Sequence, residues 1–206
     1  MKWIALLLFS FSAFAADKYS DFATLAKSET AGVDYKIWSL ERNSPLSIFA
    51  VHGGLIEPGT DQMARELAED KYNLYIFEGL KKENPFSLHL TSAKFDEPLA
   101  LEMAGKSKKC LSVHGYIGDG SKGICIGGSD KEFAVKIANE LRAANMELEV
   151  LYPCKLFAGT HPKNIVNRCQ DKGVQLEISQ GLWDELKVDS TLKTKLIQTL
   201  KNSIPK

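Results

Sequence analysis

Six short apolar runs punctuate this chain, and helix-like segments alternate with them. The runs are Ser47–Val51, Asn73–Phe77, Leu111–Val113 with its flanks, Gly123–Ile126, Leu148–Tyr152 and Val174–Ile178. They are short, apolar and often β-branched, which suits strands buried on both faces of a sheet. Asp61–Glu69 follows Thr60, a candidate N-cap. Pro98–Ala104 opens with proline at a first-turn position. Asp130–Ala144 carries Phe133, Ile137 and Leu141 on one stripe, and Thr191–Asn202 repeats Leu192, Leu196 and Leu200 at every fourth position. This alternation predicts an α/β fold built on an open, mixed, mostly parallel central sheet flanked by helices. Ligands of such sheets gather at the carboxyl ends of the strands, so functional residues are sought there.

The first fifteen residues stand apart from that pattern. Lys2 gives a positive start, Trp3 to Phe11 is apolar apart from Ser10, and Ala13-Phe14-Ala15 is a small-x-small cleavage signal. These are the features of a secretory signal peptide. The apolar stretch is shorter than the roughly 20 residues that a spanning helix needs. Residues 1–15 are therefore expected to be a leader, and 16–206 a single domain, exported to the periplasm or the medium. No repeat, low-complexity stretch or linker divides that domain.

The chain has 206 residues and a formal net charge of zero, and loss of Lys2 with the leader would leave one net negative charge. Lysines are scattered among acids, and counterion-driven binding of nucleic acid needs a basic face. No nucleic-acid partner is expected, no membrane contact once the leader is gone, and the default state is a monomer. Four cysteines, Cys110, Cys125, Cys154 and Cys169, in an exported chain suggest two disulfides. Three pairings are possible. Proximity in sequence favours Cys110–Cys125 with Cys154–Cys169. A four-cysteine zinc site is disfavoured because no CxxC knuckle occurs.

Two of the four histidines share a setting. Val51-His52-Gly53 and Val113-His114-Gly115 each close an apolar strand, and two strands delivering an imidazole at their ends can converge on one metal ion. Glu57 follows His52 across a glycine-rich turn that can fold the carboxylate back. Two histidines and a glutamate form a known zinc arrangement that leaves a fourth position for water. Spacing alone leaves open a second reading, hydrogen-bonded strand-end histidines and a solvated loop acid. Glu177 lies in Gly173–Ser179, where Val174, Leu176 and Ile178 share one face and Gln175 and Glu177 the other. An acid inside such a strand is costly unless paired or functional. It is either a general base beside a metal-bound water or an acid on a solvated face.

Four segments carry a family resemblance: VHGGLIEPGT (51–60), LHLTSAKFDEP (88–98), LSVHGY (111–116) and NIVNRCQDKGVQLEIS (164–179). In this order they resemble the poly-γ-glutamate hydrolase family, whose fold is similar to that of zinc carboxypeptidases. The resemblance implies one zinc ion held by His52, Glu57 and His114, a catalytic role for Glu177, and hydrolysis of γ-glutamyl amide bonds in an anionic peptide or polymer. Arg168, with Asn167 beside it, is a candidate for binding a substrate carboxylate. His89, in the LHLTS motif, is a candidate for lining the cleft. His161 lies in a loop and is assigned no role. The pattern departs from the family at Gln180-Gly181-Leu182-Trp183, where relatives resemble RGLR. Two expected cations are absent, which keeps two other readings in view: a metallopeptidase for other peptides such as peptidoglycan stems, and a non-catalytic zinc-binding relative.

Overall fold

The computed structural model describes residues 17–205; the expected leader lies outside them. Seven strands form one sheet in the order β1-β3-β2-β4-β7-β5-β6. Their bounds are β1 Tyr35–Leu40, β2 Leu46–Gly54, β3 Asn73–Gly79, β4 Lys109–Tyr116, β5 Gly123–Gly128, β6 Glu149–Leu151 and β7 Gly173–Ser179. Strands β3, β2, β4 and β7 run parallel, β1 is antiparallel to β3, and β5 is antiparallel to β7 and parallel to β6. The mixed, mostly parallel sheet is the architecture expected from the sequence.

Among the described residues six α-helices flank it: α1 Phe22–Ser28, α2 Thr60–Ala68, α3 Pro98–Lys106, α4 Lys131–Ala143, α5 Gln180–Val188 and α6 Ser190–Ser203. Alternation along β2 shows how the two layers form. Ile48 and Ala50 join a core with Met63, Phe133, Leu182 and Leu196 from α2, α4, α5 and α6. Phe49 and Val51 point the other way, into a core with Leu25, Phe95, Met103 and Val166. Side-chain caps set most helix starts: Asp130 accepts from Phe133 N, and Ser179 accepts from Leu182 N. The expected cap Thr60 is instead the first residue of α2, and Gly59 takes the cap position with φ 103°. The Thr60 hydroxyl donates to the Glu57 carbonyl at 2.8 Å.

The disulfide pairing differs from the one favoured by sequence proximity. The bridges are Cys110–Cys169 and Cys125–Cys154, with Cα separations of 6.1 and 5.1 Å. Sheet order explains the difference. Strand β7 lies between β4 and β5, so Cys110 pairs in register with Gly173 at one end of β7 and Cys125 with Glu177 near the other. Two strand spacings and four residues separate these two cysteines, far beyond the ~7 Å Cα limit for a bridge.

Candidate active site

Strand β2 pairs with β3 on one side and β4 on the other, and the chain leaves it toward β3 before returning to β4. The carboxyl ends of β2 and β4 therefore border a switch point, where open α/β sheets bind ligands. His52 sits there on an irregularity: Ala50 pairs with Ile76 and Gly53 with Glu78, so β2 carries one extra residue. Such a bulge re-aims a side chain. Gly54 follows at φ 66°, where a Cβ would lie 2.4 Å from the Gly79 carbonyl oxygen, so only glycine fits. The turn closes with Glu57 N donating to the His52 carbonyl at 2.9 Å.

The three residues meet. His52 Nδ1 lies 2.8 Å from Glu57 Oε1. His114 Nδ1 lies 3.2 Å from His52 Nδ1 and 3.6 Å from Glu57 Oε2. One ligand atom from each residue falls within 4.8 Å of the others. Gly115 N donates to Glu57 Oε2 at 2.9 Å, and a Cβ on Gly115 would come within 3.6 Å of the Glu57 Cβ. The tight contact at Gly115 is with Trp183, whose Nε1 a Cβ would meet at 3.0 Å, so glycine after His114 makes room for that ring.

The placement of protons in the donor set fits a cation. His52 Nε2 is 2.8 Å from the Leu90 carbonyl oxygen, which only accepts, so Nε2 carries the hydrogen. In the neutral ring, Nδ1 then presents a lone pair to the Glu57 carboxylate. Acceptors converge there with no donor between them, and a proton or a metal cation must relieve the arrangement. Tetrahedral ligands at zinc-type bond lengths stand about 3.3 Å apart, within the range of the separations found. A histidine ligand whose far nitrogen is held by a carbonyl is also the usual support for a metal-bound imidazole.

Glu177 completes the cluster from the next strand, because His114 and Glu177 pair in register across β4 and β7. Its buried carboxyl accepts from Gln175 Nε2 at 2.9 Å. Gln175 also donates to the Phe157 carbonyl at 3.1 Å and accepts from Asn164 Nδ2 at 2.7 Å. These partners fix one orientation of the amide. Burial pushes the Glu177 carboxyl well above the usual carboxylate range, and the Glu57 charge adds to the rise. Burial also acts to raise Glu57, but with a proton standing in for the cation, the positive charge and hydrogen bonds of His52 and His114 outweigh it and hold that carboxyl well below the usual range.

His89 joins the cluster from the segment after β3. Its ring lies 4.1 Å from the His52 ring and stacks on Phe86 at 4.6 Å, and its Nε2 is 4.0 Å from Glu57 Oε1. Burial and the neighbouring His52 bring its pKa down to about 4, against the upward pull of Asp17 and Glu57.

The other two residues read as carboxylate binders are not brought to the cluster. Asn167 donates to the Gly159 and His161 carbonyls and accepts from Ser129 N, so its amide is engaged in holding loops. Arg168 is exposed, donates Nε to the Lys163 carbonyl, and adjoins Cys169, which is bridged to the amino end of β4. His114 stands at the opposite end of that strand. Asn167 thus holds the loops around it, and Arg168 makes its hydrogen bond to Lys163 rather than to any of the three clustered residues. Of the two positions that depart from the RGLR pattern, Gln180 donates to Asp184 on an exposed helix face. Trp183 is buried, and Cβ atoms built on Gly59 or Gly115 would meet its ring at 3.0 Å. Gln175, Asn164 and Asp17 had no signal in the sequence beyond polarity, because their partners lie in distant segments.

Fold and site together define a mixed α/β protein with a His–Glu–His cluster, its two histidines buried and its glutamate partly so, at the carboxyl ends of its central strands and a buried carboxylate beside it. The model of the poly-gamma-glutamate hydrolase family matches residues 19–203, and the chain belongs to that family. Two solved structures are similar over nearly the whole fold. A bacteriophage poly-gamma-glutamate hydrolase superposes with a TM-score of 0.83 at 33% identity, covering 91% of this chain and 96% of that one. The zinc-free apo form of YndL superposes with a TM-score of 0.82 at 34% identity, covering 92% and 100%. The SPbeta prophage-derived UPF0714 protein YoqZ of Bacillus subtilis (strain 168) is 41% identical over 169 residues, covering 82% of this chain. The chain spans 61% of the length of YoqZ. No helix among the described residues is long and apolar enough to cross a membrane.

Proposed function

We propose that the protein is a zinc-dependent hydrolase that cleaves γ-glutamyl amide bonds in poly-γ-glutamate, and that it works after export. The observation that carries the metal reading is the convergence of His52 Nδ1, Glu57 and His114 Nδ1 with no donor between the first two. The zinc-free state named for the YndL structure supports the choice of zinc. The two disulfides fit an oxidising compartment.

His52, Glu57 and His114 would hold the ion. When bound, zinc supplies a Lewis acid that lowers the pKa of a coordinated water and polarises the scissile carbonyl. Glu177 takes the proton from the attacking water and returns it to the leaving nitrogen. A carboxylate at this position can serve both halves of that transfer. Gln175 holds Oε1 of Glu177, which leaves Oε2 for the moving proton. His89 faces the cluster through Nε2 and hydrogen-bonds substrate there.

The test uses purified protein with poly-γ-glutamate and, in parallel, with peptidoglycan stem peptides, each followed by release of new amines. Cleavage of the polymer is expected, lost on chelation and restored by zinc. Glu177→Gln is expected to keep the metal and lose turnover. Cleavage of stems alone would overturn the polymer substrate, and cleavage unaffected by chelation would overturn the metal.

A further inference from the structure

Asp17 stands at the start of the described chain, 72 positions before His89. Its carboxyl is almost wholly enclosed, at 2% exposure. Oδ1 accepts from His89 Nδ1 at 2.8 Å and from Thr91 N at 3.1 Å. Oδ2 faces Lys94 Nζ at 3.0 Å. One carboxylate therefore fastens three points of the segment 89–94. That segment includes Leu90, whose carbonyl fixes the His52 ring.

A carboxylate accepts and does not donate, so His89 Nδ1 carries a hydrogen. The ring's other nitrogen is the one 4.0 Å from Glu57 Oε1. The ring has little other choice of orientation. Phe86 stacks on it at an interplanar angle of 15°, and His52 lies across it at 33°. An enclosed carboxylate is costly unless it is paired; here Oδ1 takes both hydrogen bonds, from His89 Nδ1 and Thr91 N, while Oδ2 has no hydrogen bond and is balanced only by the charge of Lys94.

We propose that Asp17 is a positioning residue for His89: it holds the imidazole with Nδ1–H turned outward and Nε2 turned toward the His52–Glu57–His114 cluster. The alternative is a staple that fastens the N-terminal segment without acting on the ring. The kinetic part of the inference rests on the hydrolase reading given above. Its spectroscopic part does not.

Long-range proton–nitrogen NMR of protein labelled with nitrogen-15 at histidine reads the tautomer of His89 directly, assigned by its loss in His89→Gln. The wild type should show a single form with hydrogen on Nδ1. Asp17→Ala should move His89 toward the Nε2–H form or a mixture. Asp17→Asn keeps an oxygen acceptor and should retain the Nδ1–H form, and it serves if the alanine variant does not fold. An unchanged His89 signal in Asp17→Ala would overturn the proposal. The kinetic arm is a double-mutant cycle on poly-γ-glutamate. Asp17→Ala should lower kcat by roughly 10- to 100-fold with zinc content unchanged, and should add nothing to His89→Gln. An equal loss in both backgrounds, or none in the wild-type background, would also overturn it. A wild type that cleaves no γ-glutamyl bond would refute the hydrolase reading, and the tautomer measurement would still decide the role of Asp17.

Discussion

Gln175 donates Nε2–H to Glu177 Oε1 at 2.9 Å, two positions along the same face of β7. The donor is itself held by Asn164 and by the Phe157 carbonyl, so the carboxylate is oriented by a chain of groups reaching into two loops. Gln175→Met keeps the length and removes the donor. It is expected to lower kcat by about 10- to 100-fold, as loss of an outer partner does, with KM and bound zinc little changed. Steady-state kinetics with metal analysis checks this, and an unaltered kcat would show that Glu177 is placed by its strand alone.

The ligand cluster predicts a metal-dependent stability. A cation bound only by the folded state at about 100 times its Kd adds about 2.7 kcal/mol, which corresponds to roughly 5–10 °C in Tm for a domain of this size. Thermal unfolding of the chelated protein should rise by that amount on adding zinc. His52→Ala should remove most of the rise, since it takes away one ligand and leaves His114 and Glu57 alone. A zinc-induced shift that persists in His52→Ala would place the binding site elsewhere.

Much of this site was legible in the sequence, for a physical reason. His52 and His114 each end a buried strand and precede glycine, and parallel strands put such ends side by side. Glu177 stood out as an acid in an apolar strand. What escaped depended on contacts between distant segments. The cysteine pairing failed because β7, late in sequence, inserts between β4 and β5. Strand β1 carries Lys36 and Ser39 and is only partly buried, as an edge strand tolerates, so no apolar run marked it. Helix α5 begins directly on the last residue of β7, with Ser179 serving as both strand end and N-cap, which hid the boundary. Arg168 was read as a carboxylate binder by residue type, and the bridge that ties its neighbour Cys169 to the amino end of β4 could not be read from sequence proximity.

Acid stability should depend on Glu29. Its carboxyl is enclosed, receives hydrogen bonds from Lys81, Tyr19 and Lys18, and ionises at about 2. Burial opposes that shift, and the three donors overcome it. A folded pKa below the unfolded value contributes stability that is fully present above the unfolded pKa and lost as pH falls through the folded one. With screening of the partly exposed lysines the contribution is on the order of 1–3 kcal/mol, present above pH ~5 and largely lost as pH falls through about 2. Glu29→Gln should unfold at lower Tm than the wild type at pH 6, and the two curves should converge near pH 2. Parallel curves across that range would mean that the ion cluster carries no net charge-dependent stability.

The two disulfides should separate stability from turnover. Cys110–Cys169 closes a separation of 59 residues at the amino end of β4, away from His114. Cys125–Cys154 closes 29 and holds the loop whose Phe157 carbonyl braces Gln175. Chain entropy assigns about 4 kcal/mol to the longer closure and about 3.5 kcal/mol to the shorter, so both double alanine variants should unfold at lower denaturant. Only Cys125→Ala with Cys154→Ala should also lower kcat at a temperature where the fold is intact, because it frees the loop that orients Gln175 and, through it, Glu177. Denaturant unfolding and initial rates on the same preparations decide this. A larger kcat loss from the Cys110–Cys169 pair would mean that the site is tuned from the amino ends of the strands, contrary to the path from loop to Gln175 to Glu177.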